Sequence, residues 1–221
     1  MSKKRNIIAF LGIHGSNSDM ACRRAYPYME TMPCPSFEDI IKAVENGNAD
    51  LCLIPIENSN AGRVAEIHNL LPDTNLYIVG EYFQRIENQL AAPKGATLQS
   101  IKTVYSHPQP LMQCRKNIIK LGFETEAYSN TATAAKDVAE WGDKTKAAIC
   151  SRLAADLYGL EIIQENIEDS HDNTTIFIAM SAEPIDPNPA EGHVVTSLIF
   201  TARNIPAALY KALGGFATNQ V

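Results

Sequence analysis

The chain has 221 residues, of which 45% are hydrophobic and 20% charged, and its formal net charge is -6 at pH 7. These values are typical of an ordinary globular protein with room for one large α/β domain or two small ones. The negative charge and the lack of any basic cluster beyond Lys3-Lys4-Arg5 argue against a nucleic-acid partner. No stretch approaches the roughly 20 apolar residues that cross a bilayer, so we expect no membrane partner.

The cysteines and the N-terminal segment predict a cytoplasmic protein. The five cysteines lie mostly inside apolar runs and show no Cys-x-x-Cys spacing, which indicates reduced thiols rather than disulfides or zinc ligands. The apolar run from Ile7 to Ile13 is interrupted by Gly12 and is followed by polar residues, unlike a signal peptide. The histidines show no metal-ligand spacing, so we expect no metal site.

The first predicted strand, Asn6 to Leu11, leads through the turn 12–18 into a helix that reaches about Tyr28. The turn exposes backbone N–H groups, because it combines two glycines with three residues that favour helix N-caps. It lacks the third glycine of a dinucleotide fingerprint and the Gly-Lys-Ser/Thr of a P-loop. Taken alone, it is adequately explained as a plain strand-to-helix turn.

The next elements repeat the pattern of a strand that delivers polar residues to a helix. Ser36 caps a helix through Asn46, and a strand from Asp50 to Ile54 ends in the polar residues 55–59. A helix to about Leu71 follows. Two extended segments, 76–83 and 88–92, then leave this first unit and enter a second one.

The segment Ser106 to Cys114 lies between a β-branched strand, 101–105, and a helix with apolar spacing from Leu111 to Leu121. Pro108 and Pro110 fix a turn and a helix start. We expect the first turn of this helix to present free N–H groups, the Ser106 hydroxyl and the Gln113 amide to one negatively charged, oxygen-rich ligand.

The remaining elements are shorter. They are a strand 123–128, a helix capped within 129–135, a strand 147–150, a helix 151–158, an extended piece 160–163, a polar loop 169–173, a strand 174–180, a proline-rich linker 183–191, a strand 194–202 and a helix 206–217. Strands that alternate with helices predict a mostly parallel sheet, which binds ligands beyond the carboxyl ends of its strands. The polar turns 12–18, 55–60, 106–113 and 129–133 all follow strands, so a cleft between two units could gather them.

Read together, these motifs resemble the prephenate dehydratase family from about Ile7 to Met180. The matching pieces are Gly12–Ser18, Pro55-Ile56-Glu57-Asn58-Ser59, Ser106–Cys114, Ser129–Ala135, Ala154–Leu160 and Asn173-Thr174-Thr175-Ile176-Phe177. Each motif alone is a weak signal, whereas six motifs in the family's order form a strong one. Beyond the linker, residues 204–213 resemble the opening of an ACT regulatory domain.

The resemblance implies an α/β fold with two lobes of the periplasmic-binding-protein type II kind and a cleft between them. It places the catalytic domain at 1–182, with lobe one about 1–80 plus 174–181 and lobe two about 82–165. It places a linker at 183–192 and the start of a ferredoxin-like α+β ACT domain at 193–221. The chain stops just after the first helix of that domain, so we expect the ACT domain to be truncated.

The resemblance also implies the reaction, in which prephenate becomes phenylpyruvate, carbon dioxide and water without a cofactor. Thr175 matches the hydroxyl to which the family's direct catalytic role is assigned, and Glu57 is the rival acid if burial keeps it protonated. The substrate-binding positions implied by the motifs are Asn58, Ser59, Ser106, Gln113, Asn130, Thr131 and Phe177. Family members are dimers or tetramers, and a complete ACT domain binds L-phenylalanine as an effector.

One position departs from the family's last motif, Asn-x-Thr-Arg-Phe, because Ile176 stands where the arginine should be. Loss of a guanidinium near a dianion would remove a strong charged donor. Arg63 or the helix ends could replace it. Alternatively, the substrate has changed to arogenate, or the chain is a weakened carboxylate-binding descendant.

Overall fold

The computed structural model describes residues 5–188, 190, 192 and 194–219. Its strands are β1 (Ile7–Leu11), β2 (Glu30–Cys34), β3 (Leu51–Asn58), β4 (Gly62–Arg63), β5 (Tyr77–Arg85), β6 (Gln89–Ala92), β7 (Thr103–Ser106), β8 (Glu124–Ala127), β9 (Lys146–Cys150), β10 (Glu161–Gln164) and β11 (Thr174–Ser181). Its helices are α1 (Asn17–Ala25), α2 (Phe37–Glu45), α3 (Ala65–Leu70), α4 (Pro108–Gln113), α5 (Arg115–Leu121), α6 (Thr131–Trp141), α7 (Arg152–Tyr158) and α8 (Ala208–Thr218), with a 3-10 turn at Leu71–Asp73.

The first sheet has six strands in the order β2-β1-β3-β11-β5, with the short β4 paired to β3. Strand β1 runs parallel to β2 and β3, whereas β11 runs antiparallel to both of its neighbours. One face packs Phe10 and Phe177 against α1, and the other packs Ile40 and Ile178 into a separate cluster with α2. Both faces are therefore covered, which explains the continuous apolar runs of its central strands.

The second sheet has five strands in the order β10-β6-β9-β7-β8. Strand β7 is parallel to β8 and β9, and β6 is antiparallel to β9 and β10. Alanines of α6 and α7, including Ala135 and Ala154, are fully buried on one face, while Ile118 of α5 packs on the other. Small side chains let these helices lie close to the sheet.

The chain crosses between the two sheets twice, once from β5 to β6 and once from β10 back to β11. The second crossing inserts β11 between β3 and the edge strand β5 of the first sheet. These two mixed sheets confirm the predicted α/β fold class with two units joined by crossing segments.

The turn after β1 is fixed against α7 of the second sheet. The Ser151 hydroxyl donates to the Gly15 carbonyl at 2.6 Å, and the Tyr158 hydroxyl donates to the His14 carbonyl at 3.0 Å. Gly15 has a φ of +88°, and a Cβ added to it would lie 3.0 Å from the Cα of Ala154. The two sheets therefore touch here through backbone, with no room for a side chain.

Asp19 supports the same turn from within α1. Its fully buried carboxylate accepts the Gly15 N–H at 2.9 Å and the Arg23 Nε–H at 2.9 Å. Burial raises the pKa of the Asp19 carboxyl, but these hydrogen bonds outweigh burial and leave the pKa below its usual value. The charged form of Asp19 is therefore part of the folded structure.

Several predicted elements have different bounds in the structure. The predicted helix 111–121 is interrupted at Cys114, where the Asp169 carboxylate accepts the N–H groups of Lys116 and Asn117 and so caps α5. The predicted strand 194–202 is wrong, since residues 194–202 pair with no strand in the described part of the chain. Strand β2 was not predicted.

Among the helices that the structure describes, none is long and apolar enough to cross a membrane.

Candidate active site

A pocket of about 260 Å³ lies between the edge of the first sheet and α4 of the second. Its wall combines polar side chains with apolar ones such as Ile86 and Phe177, and it has contributions from α1, the end of β3, the start of β11 and α4. The polar side chains that line it are Asn17, Ser18, Asn58, Gln109, Gln113, Asn173 and Thr175, and Arg63 is the one charged residue among the described residues of the wall.

A chain of hydrogen bonds between residues of the pocket wall links the two sheets. The Asn58 amide donates to Thr175 Oγ1 at 2.9 Å and to Asn173 Oδ1 at 2.7 Å. The Asn173 amide in turn donates to Gln113 Oε1 at 3.0 Å. Strands β3 and β11 and helix α4 therefore position one another's side chains.

The direction of these bonds determines what the pocket offers a ligand. Thr175 Oγ1 accepts from Asn58, so the Thr175 hydroxyl keeps its own proton to donate. Gln113 uses its oxygen as an acceptor, so its NH₂ group keeps two protons to donate. A pocket that presents donors suits an oxygen-rich anion.

Asn58 also holds the turn that carries Arg63. Asn58 Oδ1 accepts the N–H groups of Asn60 at 3.1 Å and Ala61 at 3.0 Å, and Gly62 then adopts a φ of +80°. In the part of the chain that the structure describes, no carboxylate lies within 4.0 Å of the Arg63 guanidinium. Arg63 is therefore available to an anionic ligand.

Helix α1 begins at the pocket wall. Ser16 is its N-cap, and the Ser16 hydroxyl accepts the Asp19 N–H at 3.2 Å. The next two residues, Asn17 and Ser18, line the pocket. The positive end of the helix dipole therefore adds to the field of Arg63 in favouring a negatively charged ligand.

Two other cavities of about 270 Å³ each lie beside β5 and β11, against residues 184–187 and 194–199. Their walls are formed largely by aliphatic side chains such as Leu76, Ile78 and Ile199. They lack the convergent amides and hydroxyls of the pocket at Asn58, so we assign the chemistry to that pocket.

A comparison with protein families matches the prephenate dehydratase model to residues 8–185. The chain belongs to the prephenate dehydratase family. Members of this family are hydro-lyases, and the predicted resemblance is confirmed.

Similar proteins carry related names. A Komagataeibacter europaeus protein named bifunctional N-acyl-homoserine lactone acylase/prephenate dehydratase is 47% identical over 96% of this chain and 75% of its own length. Arogenate dehydratase/prephenate dehydratase 2 of Arabidopsis thaliana is 38% identical over 97% of this chain and 56% of its own length. The chain thus spans about half the length of its plant relatives.

Two solved structures resemble the whole fold. A quorum-quenching acylase, GqqA, has a TM-score of 0.82 at 43% identity and covers 96% of this chain and 77% of its own. The Arthrobacter aurescens prephenate dehydratase in complex with L-Phe has a TM-score of 0.81 at 26% identity and covers 96% of this chain and 72% of its own.

Of the residues that the family's motifs predict, four line the pocket: Asn58, Gln113, Thr175 and Phe177. Sequence reasoning did not select Asn17 or Asn173, although each lies within a motif that matches the prephenate dehydratase family. The signal that could have found them is their position, since each is an amide next to a predicted strand or helix end.

Ser106 does not face the pocket. It is fully buried, and its hydroxyl donates to the Ile149 carbonyl of the neighbouring strand at 2.7 Å. The expected free N–H groups of α4 are also missing, because Pro108 and Pro110 have none and His107 Nδ1 accepts the Gln109 N–H at 3.2 Å. Helix α4 therefore contributes the Gln113 side chain rather than an anion-binding end.

Other predicted binding residues act in turns and caps outside the pocket wall. The Ser59 hydroxyl accepts the Thr174 N–H at 3.0 Å and donates to the Asp172 carbonyl at 2.9 Å. Asn130 is the N-cap of α6, and Thr131 is the first residue of that helix. The turn 129–133 therefore does not join the other three polar turns around the pocket.

Neither Glu57 nor Ile176 lines the pocket. They are paired across β3 and β11, and the alternation of a strand turns Ile176 away from Thr175 and Phe177, which both line the pocket. Glu57 is exposed, so the burial that would keep it protonated is absent. The position of the family's arginine is thus not a pocket position in this fold.

Proposed function

We propose that this protein is a prephenate dehydratase, a lyase that forms phenylpyruvate from prephenate in L-phenylalanine biosynthesis. The observation that carries the proposal is the hydrogen-bond chain from Gln113 through Asn173 and Asn58 to Thr175, in a chain of this family. It leaves an amide donor and a hydroxyl donor in one anion-favouring pocket.

The reaction requires little from the protein beyond binding and assistance to a poor leaving group. Prephenate carries two carboxylates and a ring hydroxyl opposite the carbon that loses carbon dioxide. The bond to that carboxylate breaks, its electron pair enters the ring, and the carbon–oxygen bond on the opposite side breaks. The departing hydroxide takes up one proton and leaves as water, so that phenylpyruvate and carbon dioxide account for the remaining atoms.

The pocket residues fit these two tasks. The Gln113 amide, Arg63 and the start of α1 favour the carboxylates, while the Thr175 hydroxyl donates a hydrogen bond to the departing oxygen. A positioned donor of this kind contributes roughly 10²–10⁴-fold to rate. Thr175 is preferred over Glu57 as the group that assists departure, because Glu57 is exposed and does not line the pocket.

The other candidate functions have less support. A weakened binding protein was suggested by Ile176, but this residue lies away from the pocket and its side chain removes no pocket contact. An acyl hydrolase needs a nucleophile with a general base, and the described residues of the pocket wall include no histidine, cysteine or carboxylate. Arogenate differs from prephenate only in its amino acid side chain, so it remains the variant substrate to compare.

The proposal extends to regulation and assembly. The Arthrobacter aurescens prephenate dehydratase was solved in complex with L-Phe, which supports L-phenylalanine as an effector of this protein through an ACT domain that begins at about 193. We also propose a catalytic domain at 1–182 with a linker at 183–192, a homodimer or homotetramer, and a cytoplasmic location. The five buried cysteines, which form no disulfides, support that location.

A turnover assay at neutral pH tests the proposal, with prephenate, arogenate and an N-acyl-homoserine lactone measured side by side. We expect phenylpyruvate from prephenate above the spontaneous rate, and Thr175→Ala to lower kcat about 10²-fold or more. Thr125→Ala, on exposed β8, is the matched control and should retain full activity. Lactone hydrolysis without prephenate turnover would refute the proposal, and so would full activity of Thr175→Ala.

A further inference from the structure

The side chain of Asn88 touches the pocket wall at a single residue, Gln113. Asn88 lies in the first crossing segment, between β5 and β6, and is only 1% exposed. It lines none of the cavities described above. In the described part of the chain, its side chain makes one hydrogen bond, which Asn88 Nδ2 donates to Gln113 Oε1 at 3.5 Å.

The backbone of Asn88, rather than its side chain, joins the two crossing segments. The Asn88 N–H donates to the buried Glu168 carboxylate at 3.0 Å, and the Asn88 carbonyl accepts the Ile167 N–H at 2.9 Å. Any residue with a backbone N–H could make these two bonds. Burial of a side-chain amide is unfavourable unless its groups form hydrogen bonds, so the task of this amide is found at Gln113.

Gln113 is held by both crossing segments. Asn173 Nδ2, from the segment between β10 and β11, donates to Gln113 Oε1 at 3.0 Å, and Asn88 Nδ2 donates to the same oxygen from the segment between β5 and β6. The Gln113 carbonyl also accepts the Asp169 N–H at 2.8 Å. A glutamine amide can exchange the places of its oxygen and its NH₂ group by a half turn. Because two donors meet at one point here, only the oxygen fits that point.

Resting on the proposed function, we propose that Asn88 is a positioning residue for the dehydratase reaction, which keeps the NH₂ group of Gln113 turned toward a carboxylate of prephenate. A reversed amide would present its oxygen to that carboxylate, and two acceptors repel each other. Asn173 lines the pocket and can contact the substrate itself. Asn88 is buried behind the wall, so its side chain acts on the substrate through Gln113.

The first test uses Asn88→Leu, which keeps the size of the side chain and removes its donor. We expect KM for prephenate to rise about two- to fivefold, because one of the two hydrogen bonds that orient Gln113 is lost. The value of kcat should change less than about twofold, since a carboxylate is bound alike in the ground state and the transition state.

Gln89→Leu is the matched control. Gln89 is the next residue, is equally buried at 1% exposed, and its side chain hydrogen-bonds to Asn166 instead of Gln113. This variant should leave both KM and kcat unchanged. An equal rise of KM in Asn88→Leu and Gln89→Leu would overturn the inference.

Asn88→Asp keeps the shape of asparagine, and it carries the test if Asn88→Leu does not fold. Its carboxylate would attract the NH₂ group of Gln113 away from the pocket, so KM for prephenate should rise about tenfold or more. Gln89→Glu places a charge on the adjacent buried residue and controls for charge alone. A rise of KM in Gln89→Glu as large as that in Asn88→Asp would contradict the positioning role.

A double-mutant cycle shows whether Asn88 acts through Gln113. In a protein that carries Gln113→Ala, the additional change Asn88→Leu should no longer raise KM, because no amide is left to orient. If Asn88→Leu raises KM by the same factor with and without Gln113, then Asn88 acts by another route and the inference is wrong.

These outcomes are distinguishable from failure of the proposed function. If the wild-type protein does not turn over prephenate, the dehydratase proposal fails and the inference falls with it. If the wild type is active and both Asn88→Leu and Asn88→Asp keep the wild-type KM, the inference alone is wrong.

Discussion

Replacement of Gly15 by alanine tests whether the two sheets are held in place by their backbone contact. Gly15 has a φ of +88°, and a Cβ there would lie 3.0 Å from Ala154 Cα and 3.1 Å from Ala154 Cβ. The left-handed backbone costs an alanine about 1–2 kcal/mol, and crowding in a packed interface costs about 1–3 kcal/mol. We expect Gly15→Ala to lower the free energy of unfolding by about 2–5 kcal/mol.

The matched control is Gly47→Ala. Gly47 also has a positive φ, of +68°, but a Cβ added to it would meet nothing within 4 Å. Gly47→Ala should therefore lower the free energy of unfolding only by the cost of the left-handed backbone, about 1–2 kcal/mol. Urea unfolding followed by circular dichroism gives both values, and their difference isolates the crowding at Ala154. Equal losses in the two variants would refute the close contact between the sheets.

Three further predictions follow from the site and its supports. The folded pKa of Asp19 is lowered, so its carboxylate stabilises the fold at pH values above the unfolded pKa of about 3.9. This stabilisation is lost as pH falls through the folded pKa. The unfolding free energy of wild type should therefore fall more steeply below about pH 4 than that of Asp19→Asn. Arg63→Gln should raise KM for prephenate about three- to tenfold with little change in kcat, and a loss of kcat alone would contradict the binding role. The control Arg24→Gln, at an exposed position of α1, should change neither constant. Ile176→Arg should change kcat/KM less than about threefold, because the new guanidinium would lie beside Glu57 rather than in the pocket.

The sequence allowed the order of strands and helices to be predicted more accurately than their pairing. Apolar runs and N-cap residues located β1, β3, α2 and α6 within a few residues, since these signals are local. Strand β2 has the sequence Glu-Thr-Met-Pro-Cys, without alternation, and forms because β1 pairs with its backbone. The predicted strand 194–202 has β-branched residues but no partner strand among the described residues. Pairing depends on residues far away in the chain, and no local pattern reveals it.

The site shows the same division between local and long-range information. The motifs placed Asn58, Gln113 and Thr175 at element ends, and these three side chains do line one pocket. Ser106 has the same local setting, yet the carbonyl of Ile149 lies within reach of its hydroxyl. The Ser106 hydroxyl therefore donates to a carbonyl 43 residues away in the chain and does not reach the pocket. Similarly, the contact of Asn88 with Gln113 is a property of the folded environment and has no sequence signal.

The place of β11 in the first sheet has a consequence for biosynthesis. A ribosome releases β3 and β5 long before the last strand that separates them, and the whole second sheet is made in between. Until residue 181 has emerged, two strand edges face water and can join strands of other chains. Nascent chains should therefore engage chaperones until β11 arrives, and only then can Thr175 enter its pocket.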